Sequence, residues 1–330
     1  MSASPSASGG VYVHFPYCAH RCVYCDFTLT TPKTIPHERY TDALLAELEL
    51  RRATLHGPAR SLYIGGGTPS LWALDALGRF IAATRDRIGL TDDAEVTVEA
   101  NPNQVTQAWL GGMRRLGVNR LSVGVQALRD PLLQAISRRH TVEQALACVA
   151  QVTAGGFRSF SVDLMFGLPG QTLAGWRDDL ARMAELEPPH LSVYNLTVEP
   201  GTVLAKQVAA GLVTIPSEEV QTEMLFAAET VLTEAGWEHY EVSSYARPGH
   251  RAVHNAGYWD GSPYMALGAG AHGFDGAHRY HNDTRVKRYV ETALGGGDPT
   301  AESEWVTPDN RDFERVMTGL RRLTDGVDLA

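Results

Sequence analysis

Three of the four cysteines, Cys18, Cys22 and Cys25, lie within a stretch of eight residues. Their C-x3-C-x2-C spacing allows three thiolates to converge from one tight loop onto a metal centre. A cubane [4Fe-4S] cluster takes cysteine thiolates, and three of them leave one iron open to bind a small molecule. A zinc ion would need a fourth ligand, for which His14 and His20 are the nearby candidates. The triplet favours an iron–sulfur cluster and keeps a structural Cys3His zinc site as an alternative.

The overall composition is that of an ordinary globular protein with a substantial core. The 330 residues are 44% hydrophobic and 20% charged, which excludes a disordered chain and a disulfide-dense miniprotein. The net charge of -9 argues against a polyanion-binding surface, so no nucleic-acid partner is expected. No run of about 18 apolar residues predicts a transmembrane segment, and the polar first ten residues do not resemble a signal peptide. We therefore expect a cytoplasmic protein with reduced thiols, in which Cys148 is a small buried hydrophobe.

Six short β-rich runs alternate with helical patterns before residue 200. They cover residues 11–14, 61–64, 95–99, 120–125, 159–165 and 190–194. This alternation is typical of parallel β/α units. Eight units would close a complete barrel, so six predict either an open partial barrel or a doubly wound sheet. After a long helix over roughly residues 217–235 the alternation is lost, and we expect residues 201–300 to pack onto the barrel.

Four polar residues are expected to begin helices, among them Asp130, which precedes Pro131 in the usual N-cap and first-turn order. Thr106 precedes one helical pattern, and Thr141 with Gln144 forms a capping box that predicts the start of another. Ser70 is expected to cap a helix over residues 71–88.

Conspicuous residues fall repeatedly where a predicted strand ends. The cysteine loop follows the first strand and a glycine-rich turn at residues 65–69 follows the second. Glu99 closes the third strand, Gln126 follows the fourth, and Asp163 lies within the fifth. In parallel β/α folds the carboxyl ends of the strands form one functional face. The glycine turn offers N–H donors and close backbone approach, and the carboxylates can accept from an ammonium or a hydroxyl.

Five segments together resemble the radical S-adenosylmethionine (SAM) enzymes, and most closely their oxygen-independent coproporphyrinogen oxidase-like group. The segments are residues 12–27, which contain the three cysteines, and residues 65–70, 120–126, 163–169 and 194–201. The resemblance extends over residues 11–330. It implies an α/β fold with a partial (β/α)6 barrel, a [4Fe-4S] cluster on the three cysteines, and SAM bound to the open iron through its amino and carboxylate groups. Cleavage of SAM would require an external electron donor.

The resemblance also implies a set of residues that contact SAM. By similarity these are Tyr12, Tyr24, Gly66, Gly67, Thr68, Glu99, Gln126, Arg138, Asp163 and Thr197.

Two features distinguish branches within this group. The decarboxylating coproporphyrinogen III oxidase carries a further cysteine two residues after the third, and this chain has Phe27 there. Residues 254–259 match the H-N-x-x-Y-W pattern of the heme chaperone branch, HemW. That resemblance implies heme contacts at His254, Asn255, Tyr258 and Trp259, with neutral imidazole as a common axial ligand and aromatic rings against a flat macrocycle. Apo-haemoproteins would then accept the heme. The radical oxidase and the zinc protein stay as alternative functions. Peripheral membrane contact during heme delivery stays open.

The resemblance predicts four regions. Residues 1–10 are expected to form a loose, disordered tail, and residues 11–200 the barrel. Residues 201–312 are expected to form an α+β extension packed on it. Residues 313–330 look like the start of a small C-terminal domain, which the end of the chain would truncate.

Overall fold

A computed structural model describes residues 9–327, and within them twelve strands form one sheet. The strands are β1 (Gly10–Phe15), β2 (Ala59–Gly66), β3 (Leu90–Ala100), β4 (Arg120–Gln126), β5 (Ser159–Phe166), β6 (His190–Asn195), β7 (Glu238–Glu241), β8 (Ser244–Ala246), β9 (Tyr264–Leu267), β10 (His272–Phe274), β11 (His278–Asn282) and β12 (Thr300–Trp305). The spatial order of the strands is β12-β11-β10-β9-β1-β2-β3-β4-β5-β6-β8-β7.

Eleven helices of the described residues connect or flank these strands. They are α1 (His37–Arg51), α2 (Leu74–Arg87), α3 (Gln107–Arg115), α4 (Asp130–Ala135), α5 (Val142–Ala154), α6 (Leu173–Glu185), α7 (Val203–Ala209), α8 (Glu218–Glu234), α9 (Val253–Trp259), α10 (Val286–Leu294) and α11 (Pro308–Gly319). None of the helices within residues 9–327 has both the length and the apolar character needed to cross a bilayer.

The first six strands decide between the two predicted architectures. β1 to β6 lie side by side in chain order, and each neighbouring pair is parallel. A doubly wound sheet would reverse its strand order at a switch point, and no reversal occurs here. The chain therefore forms an open, parallel-rich α/β sheet of the partial-barrel type, as predicted. Its core joins sheet residues such as Val13 and Val98 to helix residues such as Leu44 and Leu180, all fully buried.

The part of the chain beyond residue 200 extends this sheet at both edges. β8 pairs antiparallel with β6, while β9 pairs parallel with β1. The hairpin of β10 and β11 continues outward from β9. The expected extension is therefore continuous with the barrel sheet, and the predicted boundary after residue 312 falls inside α11.

The described residues also correct the expectation for the amino-terminal tail. Residues 1–8 lie outside the described part of the chain. Gly10 is the first residue of β1, and Gly9 beside it is buried, so neither belongs to a loose tail. Cys148 is buried in α5, within the main core, as predicted.

Two of the four predicted helix caps are confirmed, whereas Asp130 is the first residue of α4 and Arg129 is its N-cap. The Thr106 hydroxyl accepts from the Trp109 backbone N–H, and Thr141 forms the predicted capping box. The prediction for Ser70 is wrong, because Pro69–Leu71 form a single 3-10 turn and α2 begins only at Leu74. The Ser70 hydroxyl instead donates to the Gln104 side chain.

Candidate functional site

A cavity of about 390 Å3, here called the cysteine cavity, lies at the carboxyl edge of the parallel strands. Its lining brings together the three clustered cysteines and nine of the ten residues predicted to contact SAM. These nine are Tyr24, Gly66, Gly67, Thr68, Glu99, Gln126, Arg138, Asp163 and Thr197. The tenth, Tyr12, lines a different cavity. The predicted convergence of strand ends on one face is therefore what the fold produces.

The turn after β2 lets two backbone segments approach each other closely. Gly66 has a φ of 111°, and a Cβ there would lie 2.7 Å from the His14 ring. A Cβ on Gly67 would lie 3.0 Å from the sulfur of Cys18. A side chain at Gly66 would clash and strain the backbone, and one at Gly67 would be tightly crowded, so the glycines allow the cysteine loop to pass close to the turn.

Gln126 reaches the cavity through an irregularity in the sheet. The register between β4 and β5 shifts between Gly124 and Gln126, and Gln126 has a φ of 69°. A register shift of this kind redirects a side chain, and a positive φ at a residue other than glycine costs free energy. The strained residue lines the cavity, where such strain is most often retained for function.

The cysteine loop is closed at its base and hydrogen-bonded within. The Cys18 N–H donates to Thr30 O at 3.0 Å, and the Cys25 N–H donates to Cys22 O at 3.2 Å. The Thr68 hydroxyl donates to the sulfur of Cys18 at 3.2 Å. Burial raises the pKa of the Cys25 thiol to about 11 and also raises that of Cys18. A bound iron cation would instead lower the pKa of these thiols, because it stabilises the thiolate.

The two candidate histidines of the alternative Cys3His zinc site are engaged by other groups in this structure. Among residues 9–327, no three histidine, cysteine, aspartate or glutamate side chains are arranged to hold a single metal ion. The two ring nitrogens of His14 are occupied by the Tyr12 hydroxyl at 3.0 Å and by Thr28 O at 2.6 Å. His20 instead lies beside the Arg139 guanidinium. In a cubane each cysteine binds a different iron, so three thiolates around a cavity suit a cluster without meeting at one point.

Two carboxylates line the cavity, Glu99 from β3 and Asp163 from β5, with β4 between these strands. Glu99 accepts from the Tyr63 hydroxyl at 2.8 Å and from the Gly66 N–H at 3.1 Å. Burial raises the pKa of Glu99 to about 7, and the nearby charge of Asp163 acts in the same direction. Burial also raises the pKa of Asp163, opposed by the hydroxyls of Ser122 and Ser161 that donate to it. Two partly buried carboxylates at one cavity form a site suited to a ligand that carries positive charge.

Arg138 supplies positive charge to the lining of the same cavity. Its guanidinium donates to Asn101 Oδ1 at 2.6 Å and to Gly124 O at 2.8 Å. Its buried Nε has no partner within the described residues. An unpaired buried donor is costly, which fits an arginine whose acceptor, such as a ligand carboxylate, binds in the cavity.

A second and larger cavity of about 920 Å3, here called the aromatic cavity, lies on the other side of the cysteine loop. Asp26 and Phe27 line both cavities, and Phe27 is 56% exposed. The other aromatic rings in its wall belong to Tyr12, Tyr258, Trp259, Tyr264 and Phe274. Charged residues at this cavity include Arg279, Glu314 and Arg311.

The segment predicted to contact heme divides between this cavity and the core. Tyr258 and Trp259, at the end of α9, line the aromatic cavity, whereas Asn255 lines neither cavity. His254 is buried behind them, with its ring nitrogens hydrogen-bonded to the hydroxyls of Ser61 and Tyr258, each at 2.8 Å. Burial lowers the pKa of His254 to about 3. Heme contact by this segment stays a prediction, and in this structure His254 has no free ring nitrogen to offer an iron.

Sequence reasoning missed one wall of the aromatic cavity. His272, Phe274 and Arg279 come from the β10–β11 hairpin, and Arg311 and Glu314 come from α11. The hairpin carries no spaced motif, and the helical spacing of apolar residues in α11 does not indicate where that helix packs. The available signal in residues 272–281 was the density of histidines and aromatic residues, three and two respectively.

Comparison with known proteins agrees with this geometry. The model of the radical SAM superfamily matches residues 12–183. The heme chaperone HemW of Mycobacterium tuberculosis is 36% identical over 338 aligned residues, which cover 100% of this chain and 85% of that protein. The heme chaperone HemW of Escherichia coli is 38% identical, with 80% of this chain and 69% of that protein covered.

A solved structure is similar over nearly the whole fold. It is the coproporphyrinogen III oxidase (HemN) from Escherichia coli, described as a radical SAM enzyme. The two structures agree with a TM-score of 0.82 at 25% sequence identity, covering 96% of this chain and 76% of the other. From these matches, the chain belongs to the radical SAM superfamily and, within it, to the HemW family.

Proposed function

We propose that this chain is a heme chaperone, which binds heme and transfers it to apo-haemoproteins while carrying a [4Fe-4S] cluster and SAM. The observation that carries the proposal is the aromatic cavity of about 920 Å3 next to the cysteine cavity. Small-molecule pockets span roughly 300–1,000 Å3 and are lined mainly by apolar and aromatic side chains. The relatives named heme chaperone HemW support the same reading.

The cysteine cavity would hold the cluster and SAM that membership of the superfamily implies. The cluster supplies electron transfer and, at the iron without a thiolate, a coordination position for SAM. In our proposal Cys18, Cys22 and Cys25 bind the cluster. Glu99 and Asp163 accept from donors of SAM and balance its positive charge, while Arg138 pairs with its carboxylate. If SAM is cleaved, an electron donor must act from outside the chain.

The aromatic cavity would hold heme against its rings. Tyr258 and Trp259 present aromatic surface from α9, and Phe27 presents it from the cysteine loop. Flat macrocycles gain apolar burial and ring contacts from such walls. Because the four cysteines are free and the cluster thiols must stay reduced, the proposed transfer takes place in the cytoplasm.

The proposed function is tested by an anaerobic titration of cluster-reconstituted protein with heme, followed by incubation with an apo-haemoprotein. Saturable binding near one heme per chain, and movement of heme to the acceptor, are the expected results. Tyr258→Ala should weaken binding because it removes a ring from the cavity wall, while Phe226→Ala serves as a control, because that ring lines neither cavity. Absence of saturable binding, or binding without transfer, would contradict the proposal.

A second candidate is the oxygen-independent coproporphyrinogen III oxidase. The similarity to the solved oxidase, with a TM-score of 0.82, favours it, as does the complete lining of the cysteine cavity. Against it, this chain has Phe27 at the position that, by the resemblance, is a further cysteine in that enzyme. Anaerobic incubation with coproporphyrinogen, SAM and a reductant separates the candidates, since the oxidase must form protoporphyrinogen and the chaperone must not.

A further inference from the structure

One histidine of the aromatic cavity differs from the others in its surroundings. His272 begins β10 and is exposed to the cavity, and no hydrogen bond to its ring nitrogens occurs within the described residues. The other histidine in the cavity wall, His14, has both nitrogens occupied. His254 lies outside the cavity wall, also with both nitrogens occupied. Of these three imidazoles, only that of His272 can form a new bond without losing an existing one.

The hairpin fixes the position of this imidazole. His272 pairs with His281 across the two strands, and their rings stack with centroids 5.1 Å apart. Gly273 lies flat against the Tyr280 ring, where a Cβ would come within 2.3 Å of it. Because side chains alternate along a strand, His272 and Phe274 share the face that lines the cavity. The imidazole therefore projects from a rigid element beside an aromatic ring.

The remaining walls suit a flat, iron-containing ligand with carboxylates. Tyr258 and Trp259 supply rings from α9, and Phe27 supplies one from the cysteine loop. At the rim, Arg311 is exposed and uses its guanidinium for one contact, to Gly276 O. Arg279 is held by Glu314 through two hydrogen bonds of 2.8 Å, so its charge is already paired. Arg311 is thus the cation better placed to meet a ligand carboxylate.

We propose that His272 ligates the iron of a heme bound in the aromatic cavity, and that His254 is a positioning residue acting through Tyr258. This inference rests on the proposed function, because it assigns a ligand for the same heme. His254 fixes the Tyr258 hydroxyl at 2.8 Å and so sets the angle of that ring in the wall. Burial and the neighbouring His281 and Arg279 lower the pKa of His272, which leaves a neutral imidazole near neutral pH.

The test is an anaerobic titration of cluster-reconstituted protein with hemin, followed by absorption spectroscopy. His272→Ala is compared with His281→Ala, which removes the stacked histidine of the same hairpin outside the cavity wall. Loss of a residue that only supports a metal ligand lowers metal affinity roughly 10–100-fold. Loss of the ligand itself should therefore raise the Kd for hemin at least about tenfold. The histidine-ligated spectrum should disappear in His272→Ala, return on addition of free imidazole, and persist in His281→Ala.

Further variants separate the ligand from the positioning residue. Tyr258→Phe removes the hydroxyl held by His254 and keeps the ring, so the histidine-ligated spectrum should remain. The proposal is overturned if His272→Ala keeps the wild-type Kd and spectrum, or if His254→Ala alone removes the ligation spectrum from a protein that stays folded. Failure of the wild type to bind hemin saturably would instead overturn the proposed function itself, and this inference with it.

Discussion

The two cavities on either side of the cysteine loop are built from different kinds of structure. The cysteine cavity is lined by polar and charged groups that separate parallel strands deliver to one edge. The aromatic cavity is lined by rings and arginines from a short hairpin, from α9 and from α11. One site therefore follows from the barrel topology, and the other from how the extension packs against it.

The difference assigns the two cavities different chemistry. Two carboxylates and an arginine in one cavity suit a small zwitterionic ligand, whereas a wide wall of rings suits a large flat one. Phe27 and Asp26 are shared, so a ligand in either cavity touches the same few residues of the cysteine loop. A substitution in one cavity should therefore leave ligand binding in the other cavity unchanged, unless it falls on Asp26 or Phe27.

The largest expected effect is loss of the cluster from the cysteine cavity. Cys22→Ala leaves two thiolates, which cannot hold a [4Fe-4S] cluster, so iron and sulfide should fall to background after reconstitution. Cys148→Ala is the matched control, since that cysteine is buried in α5, away from both cavities. Hemin binding should survive in both variants. Zinc in place of iron and sulfide in the wild type, or a cluster retained by Cys22→Ala, would contradict the assignment.

The second-largest expected effect is on the affinity for SAM, through the charge of Glu99. The pKa of this carboxyl is raised to about 7 by burial, so it takes up a proton as the pH falls through neutrality. If SAM prefers the deprotonated form, the affinity should drop by up to about tenfold per pH unit below about pH 7. Equilibrium binding at several pH values measures this. Glu99→Gln should bind weakly throughout and lose most of the pH dependence; a variant with the wild-type pH profile would show that Glu99 does not contact SAM.

A smaller effect is expected at the shared wall. Phe27→Ala removes a ring that is 56% exposed, so folding should be unaffected while hemin loses an aromatic contact. Such contacts are worth about 0.5–1.5 kcal/mol, or roughly a two- to tenfold rise in the Kd. Phe226→Ala is the control, because that ring on α8 is similarly exposed at 59% and lines neither cavity. Equal effects of the two substitutions would remove Phe27 from the heme site.

How much the sequence could predict differs between the cavities for a physical reason. Strand alternation and the strand-end rule place Glu99, Gln126 and Asp163 on one face without any knowledge of long-range contacts. The register shift that turns Gln126 toward the cavity has no local signal. His272 and Arg311 meet only because β10 pairs with β9 at the sheet edge and α11 packs nearby, and no short motif encodes that packing.

Tyr12 and Ser70 show what local patterns leave open. Tyr12 shares its strand face with His14 and lines the aromatic cavity, and its contact with SAM stays a prediction. Ser70 follows Pro69, and this proline begins a 3-10 turn that contains the residues expected to start the helix. In both cases the local backbone geometry decided where the side chain went.

The smallest expected effect distinguishes the contribution of the heme carboxylates to binding affinity from that of the heme ring. Arg311→Gln removes an exposed cation at the rim of the aromatic cavity, where an ion pair is worth about 0.2–1 kcal/mol, or up to roughly fivefold in affinity. The loss should appear with hemin, shrink at high salt, and be absent with the dimethyl ester of hemin, which lacks the charges. Arg288→Gln on α10 is the control, being 64% exposed and outside both cavities. If the ester responds to Arg311→Gln as strongly as hemin does, Arg311 acts through packing of α11, and the carboxylates point away from this rim.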